Sequence, residues 1–484
     1  MRAPRMRWSI AFGCLTMCVV LATSSSASVR PIPLATYHGD NARTGFSAGT
    51  SISSANAASL LQKWHDTVGA SISDQPIVAN GVVYWGDWTG HMHATTLAGT
   101  SVWSTALGTA SKPKSCPYDL ATQGIVSSAA VGTVDGKNLV WVGGGAGQVV
   151  ALNVSNGKVV WSTRLGTPPE YVTWSSPTLY DGSVYEGVAS FNDCPVINGS
   201  FDRLNAATGA IEAINHLSIP SNCVGPGIWS SPAIDPSTNS IYVSTSNANL
   251  RKGNGTCEAA PDQEAILRLD ATTLVVTERW QVPTSQQVSD SDFGGSPMLF
   301  TATIDGVNRQ LVGAVNKNGV YYVLDRDNLA AGPVWTYTAE SAATLASSAC
   351  SDVNTISSSA WAGPGAPIMV AGLAVKGATC IGTLAALNPS TGTTEWQVPL
   401  QGPVLGAVTE VPGLVAVGAG AHVDVLASST GATLFSYAEP KSKQRSKKRV
   451  IFGAPVGWFW SPPTIAGQFL FAANQDGTLR AFSP

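Results

Sequence analysis

The sequence predicts an all-β chain, folded as a single eight-bladed β-propeller closed by its N- and C-terminal strands. Three observations carry this expectation. A strand-rich unit recurs eight times between Ser71 and Pro484. Each unit alternates short apolar runs with turn dipeptides, the pattern of a small antiparallel sheet. The last unit stops after Leu479-Arg480-Ala481-Phe482 and lacks an outer strand, while Leu60-Leu61-Gln62-Lys63-Trp64 near the other end is left over. A sheet of three or four strands cannot bury both of its faces alone, but radial packing against neighbouring sheets buries them. Pairing the two chain ends then leaves no open seam. No helical periodicity of useful length and no interdomain linker interrupts the series, so the propeller is expected over residues 36–484.

The units run in order as 71–108, 123–166, 171–217, 227–283, 290–339, 356–401, 402–440 and 452–484. Ser176-Pro177, Ser231-Pro232, Ser296-Pro297 and Ser461-Pro462 open inner strands. Asn80-Gly81 and Asp181-Gly182 supply hairpin turns that need positive φ. Ala207-Thr208-Gly209, Thr391-Gly392 and Ser429-Thr430-Gly431 precede outer strands, and Trp103, Trp161, Trp280, Trp335 and Trp396 lie on such strands. Two stretches exceed the repeat. Asn249 to Asp262 is inserted into the fourth unit. Lys441 to Arg449 is a basic run between the last two, read as a solvated loop or as a contact for an acidic partner.

The composition fits: 49 glycines, 15 tryptophans and 12% charged residues suit many turns and half-buried strands. At the N-terminus, Arg2, Arg5 and Arg7 precede an apolar run from Ile10 to Ala22 and the small residues Ser25-Ser26-Ala27. This has the form of a secretory signal peptide over residues 1–27, with an apolar run too short for a comfortable membrane span. The expected mature protein is secreted or periplasmic and does not span a membrane. Removing residues 1–27 takes three arginines and no acid, so the net charge falls from −3 to −6. That gives no support to nucleic-acid binding, which needs a basic face. Cys116, Cys194, Cys223, Cys257, Cys350 and Cys380 remain, and six cysteines allow 15 connectivities. Loop proximity favours Cys116–Cys194, Cys223–Cys257 and Cys350–Cys380. The chain has no Cys-x-x-Cys-His, so no covalent haem c is encoded. It also has no Gly-x-Ser-x-Gly, His-Glu-x-x-His or phosphate loop, and hydrolase and nucleotide chemistries lack support.

Three segments carry the candidate chemistry: Gly225 to Asp235 running on to Ile241–Asn247, Ser289 to Pro297, and Asn316 to Arg326. They set Trp229, Asn247, Asp292 and Lys317 beside strands. An aromatic plate, an amide, a carboxylate and a cation suit a flat, anionic, metal-bound cofactor. The repeats and these segments, together with Thr36-Tyr37-His38-Gly39-Asp40-Asn41-Ala42-Arg43-Thr44-Gly45, resemble the quinoprotein alcohol dehydrogenases. These are eight-bladed propellers that bind pyrroloquinoline quinone and Ca²⁺ on their axis. The exported, compact form looks closest to the polyvinyl-alcohol dehydrogenase branch. The single-unit motif also occurs in outer-membrane assembly factors that bind no cofactor.

The resemblance implies roles residue by residue. Trp229 matches the tryptophan under the quinone, and Lys317 a basic residue that contacts the quinone oxygens. Asn247 matches a Ca²⁺ ligand, and Asp292 the catalytic base, which also serves as a ligand. Asp290, two residues earlier on the same side of an extended chain, is the alternative base. Bland readings stand beside these: a core tryptophan, a turn asparagine, a turn-capping aspartate and a hairpin lysine. The chain departs from the family in several ways. Ser291 replaces a tryptophan before the catalytic aspartate. Where the family has a glutamate ligand, this chain has Asn192, with Asp193 able to supply the carboxylate after a one-residue shift. The adjacent-cysteine disulfide of many members is absent. Gly294 occupies the position where a lanthanide site carries an extra aspartate, which favours Ca²⁺. His91 and His93 flank Met92 on one face of a strand and lack further ligands for a metal. Asn153, Asn198 and Asn254 sit in glycosylation sequons.

The resemblance therefore implies an exported dehydrogenase that oxidises a small-molecule or polymeric alcohol to a carbonyl and passes electrons to a separate acceptor. The alternative is a non-catalytic propeller that presents loops to a protein or polysaccharide.

Overall fold

The computed structural model describes residues 1, 35–114, 116, 122–252, 255–351, 353–440 and 457–484. The expected signal segment up to Ala27, the basic run 441–449 and Asn254 lie outside the described residues.

Eight antiparallel sheets account for the fold, and all eight counted units become blades. The blades run Ile77 to Ala106, Ala130 to Arg164, Thr178 to Asn215, Ala233 to Gln281, Met298 to Thr338, Ala360 to Pro399, Thr409 to Ala438, and Thr464 to Ser483. The eighth is completed by Leu61–Thr67, which pairs with Thr478–Ser483 and sets Gln62 opposite Phe482 and Trp64 opposite Ala481. The leftover N-terminal strand thus closes the ring as the sequence predicts.

The repeat residues explain the ring. Outer-strand tryptophans other than Trp280 cover the turn of the next blade and donate the indole N–H to a carbonyl there. Trp103 bonds Val154 O, Trp335 bonds Pro389 O, Trp396 bonds Ser428 O, and Trp64 of the closing strand bonds Leu97 O. The glycine of the Thr-Gly turn makes room for the indole. At Gly209, φ is +75° and an added Cβ would stand 2.5 Å from the Trp161 ring. Nearer the axis the recurrent serine is a blade-to-blade clamp. Ser128 Oγ accepts from Gln75 N, Ser176 Oγ from Ser128 N, Ser231 Oγ from Ser176 N, Ser296 Oγ from Ser231 N, and Ser358 Oγ from Ser296 N. Side-chain acceptors thereby satisfy buried N–H groups that no strand reaches.

Residues 35–49 form a belt along the inner strands. Ala35 pairs with Val131 of the second blade, and Asn41 Nδ2 donates to Leu179 O of the third. Asn41 O, Ala42 O, Thr44 O, Gly45 O and Gly49 O then accept from Ile234, Leu299, Trp361, Glu410 and Gly467 of the fourth to eighth blades. The fully buried Arg43 fastens this belt with bonds to Pro232 O and Tyr37 O.

All three expected disulfides are present, Cys116–Cys194, Cys223–Cys257 and Cys350–Cys380. Cys116, Cys194, Cys350 and Cys380 share an apolar cluster with Trp88, Phe191 and Ile356, and Trp229 packs against it. Among the described residues no helix is long and apolar enough to cross a membrane.

Candidate active site

Strand ends and backbone bonds bring the three chemical segments together. The second strand of the fourth blade, Ser240–Ser244, leads into Thr245-Ser246-Asn247. The amide of Phe293 donates to Thr245 O, and the amide of Lys317 donates to Asp292 O at 3.0 Å. Lys317 sits in the turn between Val307–Val315 and Val320–Asp325, the hairpin position that the sequence allowed for it.

Asp292 is the hub. Its Oδ2 accepts from Trp229 Nε1 at 2.9 Å, and its Oδ1 lies 2.5 Å from Lys317 Nζ. The same ammonium reaches Asp290 Oδ1 at 3.0 Å and stands 5.3 Å from the centre of the Trp229 ring. Asp292 and Lys317 are buried, whereas Asp290 is exposed to solvent. Asp193 is also solvent-accessible, yet it is enclosed by protein, as a group lining a concavity is. It accepts from Ser190 and adds its charge to those around Lys317 and Asp292. Asn192 is half-buried with φ +48°, and among the described residues no hydrogen bond or ion pair ties its side chain to this cluster.

Burial pushes the Asp292 carboxyl up to about 7, opposed by Lys317 and reinforced by Asp290 and Asp193. For Lys317, burial alone favours the neutral amine. The carboxylates of Asp292 and Asp290 outweigh that, and its pKa is raised. The proton of the pair therefore resides on Lys317, and Asp292 is an anion poised close to neutrality. Burial likewise lifts Asp193.

Asn247 is held in place by its neighbours. Ser246 N donates to Gly227 O, Ser246 Oγ accepts from Gly227 N, and Ala248 N donates to Gln263 Oε1. Its Oδ1 is buried without a hydrogen-bond partner among the described residues. An orphaned buried amide oxygen is a donor type that a hard cation takes. Among the described residues no three His, Cys, Asp or Glu side chains converge as a ready-made metal centre, so Asn247 would be needed in any ligand set.

A cavity of about 110 Å³ is lined by Val126, Trp174, Trp229, Gly294, Ile356, Leu405 and Trp460, at equivalent positions just before the inner strands. Gly294 is the exception to bulk in this ring. A Cβ built there would meet Ile356 Cγ2 at 2.5 Å and Trp229 Cη2 at 2.7 Å, so the missing side chain is what lets the Trp229 indole lie across the fifth blade. The buried oxygen of Asn247, this cradle, and the acid–base pair of Asp292 and Lys317 all fit a flat anionic quinone with its cation.

Sequence reasoning missed Glu264. It is buried, its Oε2 accepts from Ser291 Oγ at 2.5 Å, and burial pushes it up to about 7. Ser291, noted as a departure, is thus tied to an acid at the entrance of the strand Ala265–Asp270. The only signal was an unexplained acid beginning an apolar strand. His93 bonds the buried Asp87 at 2.8 Å and stacks on Trp85, a structural role away from any metal.

The ring of eight sheets is a β-propeller, and its candidate site joins a tryptophan, an aspartate and a lysine. The profile of the glucose/ethanol/alcohol dehydrogenase β-propeller domain matches residues 201–337, and that of the outer membrane protein assembly factor BamB matches 20–186 and 352–452. The assembly-factor profile covers more than half of the chain, which belongs to that β-propeller family, while the dehydrogenase profile covers the segment that holds most of the candidate site. A polyvinylalcohol dehydrogenase of Pseudomonas sp. is 26% identical over 211 residues, covering 37% of this chain and 33% of the relative. The chain spans between a third and about half the length of the curated relatives it matches. The quinohemoprotein alcohol dehydrogenase from Comamonas testosteroni superposes with a TM-score of 0.70 at 16% identity, covering 95% of this chain and 81% of that one. BamB from Moraxella catarrhalis gives 0.55 at 14% identity, covering 88% of this chain and 100% of that one. At these identities the structural likeness shows the fold alone.

Proposed function

We propose that the protein is an exported quinoprotein dehydrogenase that oxidises a small-molecule or polymeric alcohol to its carbonyl and delivers electrons to a separate acceptor. The observation that carries this reading is Asp292 held between Trp229 Nε1 and Lys317 Nζ at the axis. Pyrroloquinoline quinone would supply the two-electron acceptor when bound, with Ca²⁺ as Lewis acid. Asp292 accepts the alcohol's hydroxyl proton, a role that suits a carboxylate titrating close to neutral pH. Lys317 holds that carboxylate in place and presents positive charge to the developing anion. Trp229 is the plate on which a flat ring rests, and Asn247, Asp292 and Asp193 would hold the cation. The Asn192 role has no supporting contact.

The test is reconstitution: pyrroloquinoline quinone and Ca²⁺ are added to purified protein, and dye-linked oxidation of alcohols is followed. Asp292→Asn keeps the shape and removes the base, so turnover should vanish while the quinone still quenches tryptophan fluorescence. Wild-type protein that binds no quinone with Ca²⁺ present would refute the reading. That result would favour a second one, a non-catalytic scaffold for a protein or polysaccharide, which the BamB match over both ends of the chain supports.

A further inference from the structure

The third blade carries a pair of acids where the second, fourth and sixth blades carry carbon. In its second strand, Ser183–Ser190, Glu186 stands directly opposite Asp202 of the third strand, Ser200–Asn205. Opposed residues of antiparallel strands leave the sheet on the same face, with Cβ atoms about 5 Å apart. The repeat supplies its own control. The same register holds Val142 and Val150 in the second blade, Val243 and Leu267 in the fourth, and Val370 and Ala385 in the sixth. Two positions built for aliphatic side chains are therefore occupied by two acids.

Both acids are buried, at 0% and 1% exposure. They lie at the seam between blades, because Val184 and Leu204 on the same face pack with Trp141 and Val149 of the second blade. Neither carboxylate oxygen of Glu186 has a hydrogen-bond partner among the described residues. The same holds for the hydroxyl of Ser175, which is fully buried and lies beside Glu186. Asp202 accepts from Ser200 at 2.6 Å. The basic group whose charge reaches Glu186 is Arg43, and its N–H donors point to neutral oxygens of Pro232, Thr36, Tyr37, Asp40 and Thr178.

Protonation alone does not resolve this arrangement. A neutral Glu186 would offer both an O–H donor and a carbonyl acceptor, and the Ser175 hydroxyl beside it matches only one of them, so a buried polar group would still be left over. The ligand that matches two carboxylates and a hydroxyl, with no nitrogen or sulfur among them, is a hard cation. We propose that Glu186, Asp202 and Ser175 form a structural cation site of the calcium class inside the third blade, separate from the axial site. Bound there, the cation ties the second and third strands of this blade at its seam with the second blade. Ser175 follows Trp174 of the axial ring directly, so the site also supports one wall of the cavity. The inference stands whether or not the axial site binds a quinone.

The test compares wild type, Asp292→Asn and the double variant Glu186→Val/Asp202→Leu, which installs the pattern of the fourth blade. After chelation and gel filtration, Ca²⁺ and Tb³⁺ binding are measured by calorimetry and by tryptophan-sensitised luminescence. Wild type and Asp292→Asn should share one site that the double variant lacks, and only the double variant should lose the Ca²⁺-dependent rise in melting temperature from that site. Glu186→Gln, which keeps the volume, should weaken this site at least tenfold and serves if the apolar pair fails to fold. Unchanged stoichiometry and affinity in these variants would overturn the proposal. So would a wild type whose only cation disappears with Asp292→Asn, since a proton-sharing or water-filled pair would then occupy the seam.

Discussion

Gly294→Ala is the smallest change that reaches the axial site without touching its charges. The new methyl would stand 2.5 Å from Ile356 Cγ2, 2.6 Å from Ile356 Cβ and 2.7 Å from Trp229 Cη2. Real Cβ contacts are never this short, and Ile356 Cβ is fixed to the backbone, so the inner strand or the Trp229 ring must move. Ile356 is buried and Trp229 is hydrogen-bonded to Asp292, which leaves little slack. Overpacking of this kind costs about 1–3 kcal/mol. In a chain of this size each kcal/mol lowers the melting temperature by about 2–4 °C at most. The sharper readout is the site itself. Displacing Trp229 should shift its fluorescence and weaken pyrroloquinoline quinone binding at least tenfold. Adding Ile356→Ala should recover part of the stability but little of the quinone affinity, because the Trp229 contact remains. An alanine variant with wild-type stability and wild-type quinone affinity would refute the cradle argument.

Two further predictions concern stability. Glu410, on the inner strand Thr409–Val411, is buried, and its burial pushes the pKa up to about 8. The native state then holds a proton that the unfolded chain releases near 4.5, so stability falls as pH rises from about 4.5 to about 8. The contribution is at most about 4–5 kcal/mol at 1.36 kcal/mol per pKa unit. Glu410→Gln should flatten that slope and stabilise the protein at alkaline pH; an unaltered slope in denaturant titrations would show that Glu410 ionises freely. Replacing Cys116 and Cys194 together with serine opens a bridge spanning 78 residues, worth about 4 kcal/mol in the chain-entropy model. Because Cys194 adjoins Asp193, the variant should also bind Ca²⁺ more weakly at the axial site. Calorimetric binding equal to wild type would show that Asp193 is not a ligand.

The ring was legible because its repeat residues act locally and identically. An outer tryptophan and a Thr-Gly turn are one contact seen from two blades, and Ser-x-Pro marks both a clamp and the start of an inner strand. The cysteine pairs were legible for a related reason, since neighbouring loops of a ring have few choices. Trp229, Asp292 and Lys317 were singled out through the family resemblance, and they lie in the loops before or between inner strands, whose places the ring fixes. Glu264 was not, because its bond to Ser291 joins the third strand of one blade to the loop before the next, and nothing in the spacing announces it. Glu186 was hidden differently. It lies inside the run Ser183-Val184-Tyr185-Glu186-Gly187-Val188, where an isolated acid passes for the solvent face of a strand until burial is known. The work of Arg43 and the belt could not be read at all, since each of its bonds reaches a different blade.

The distribution of chemistry around the axis is itself informative. All the charged and amide groups of the candidate site come from the third, fourth and fifth blades: Asp193, Asn247, Asp290, Asp292 and Lys317. The cavity beside them, which Trp229 shares, takes Ile356, Leu405, Trp460 and Val126 from the sixth, seventh, eighth and second blades and Gln75 from the first. A propeller with uniform repeats would give a symmetric cup, which can centre a ligand but cannot orient one. Here the uncharged cavity meets the charged cluster at one residue, Trp229, whose indole lines the cavity and donates to Asp292. On the proposed reading, an alcohol enters with its hydroxyl toward Asp292 and its carbon chain toward the cavity, the orientation that proton removal requires. Longer aliphatic alcohols should then bind better than short ones, because each additional methylene buried in that cavity contributes about 0.8 kcal/mol.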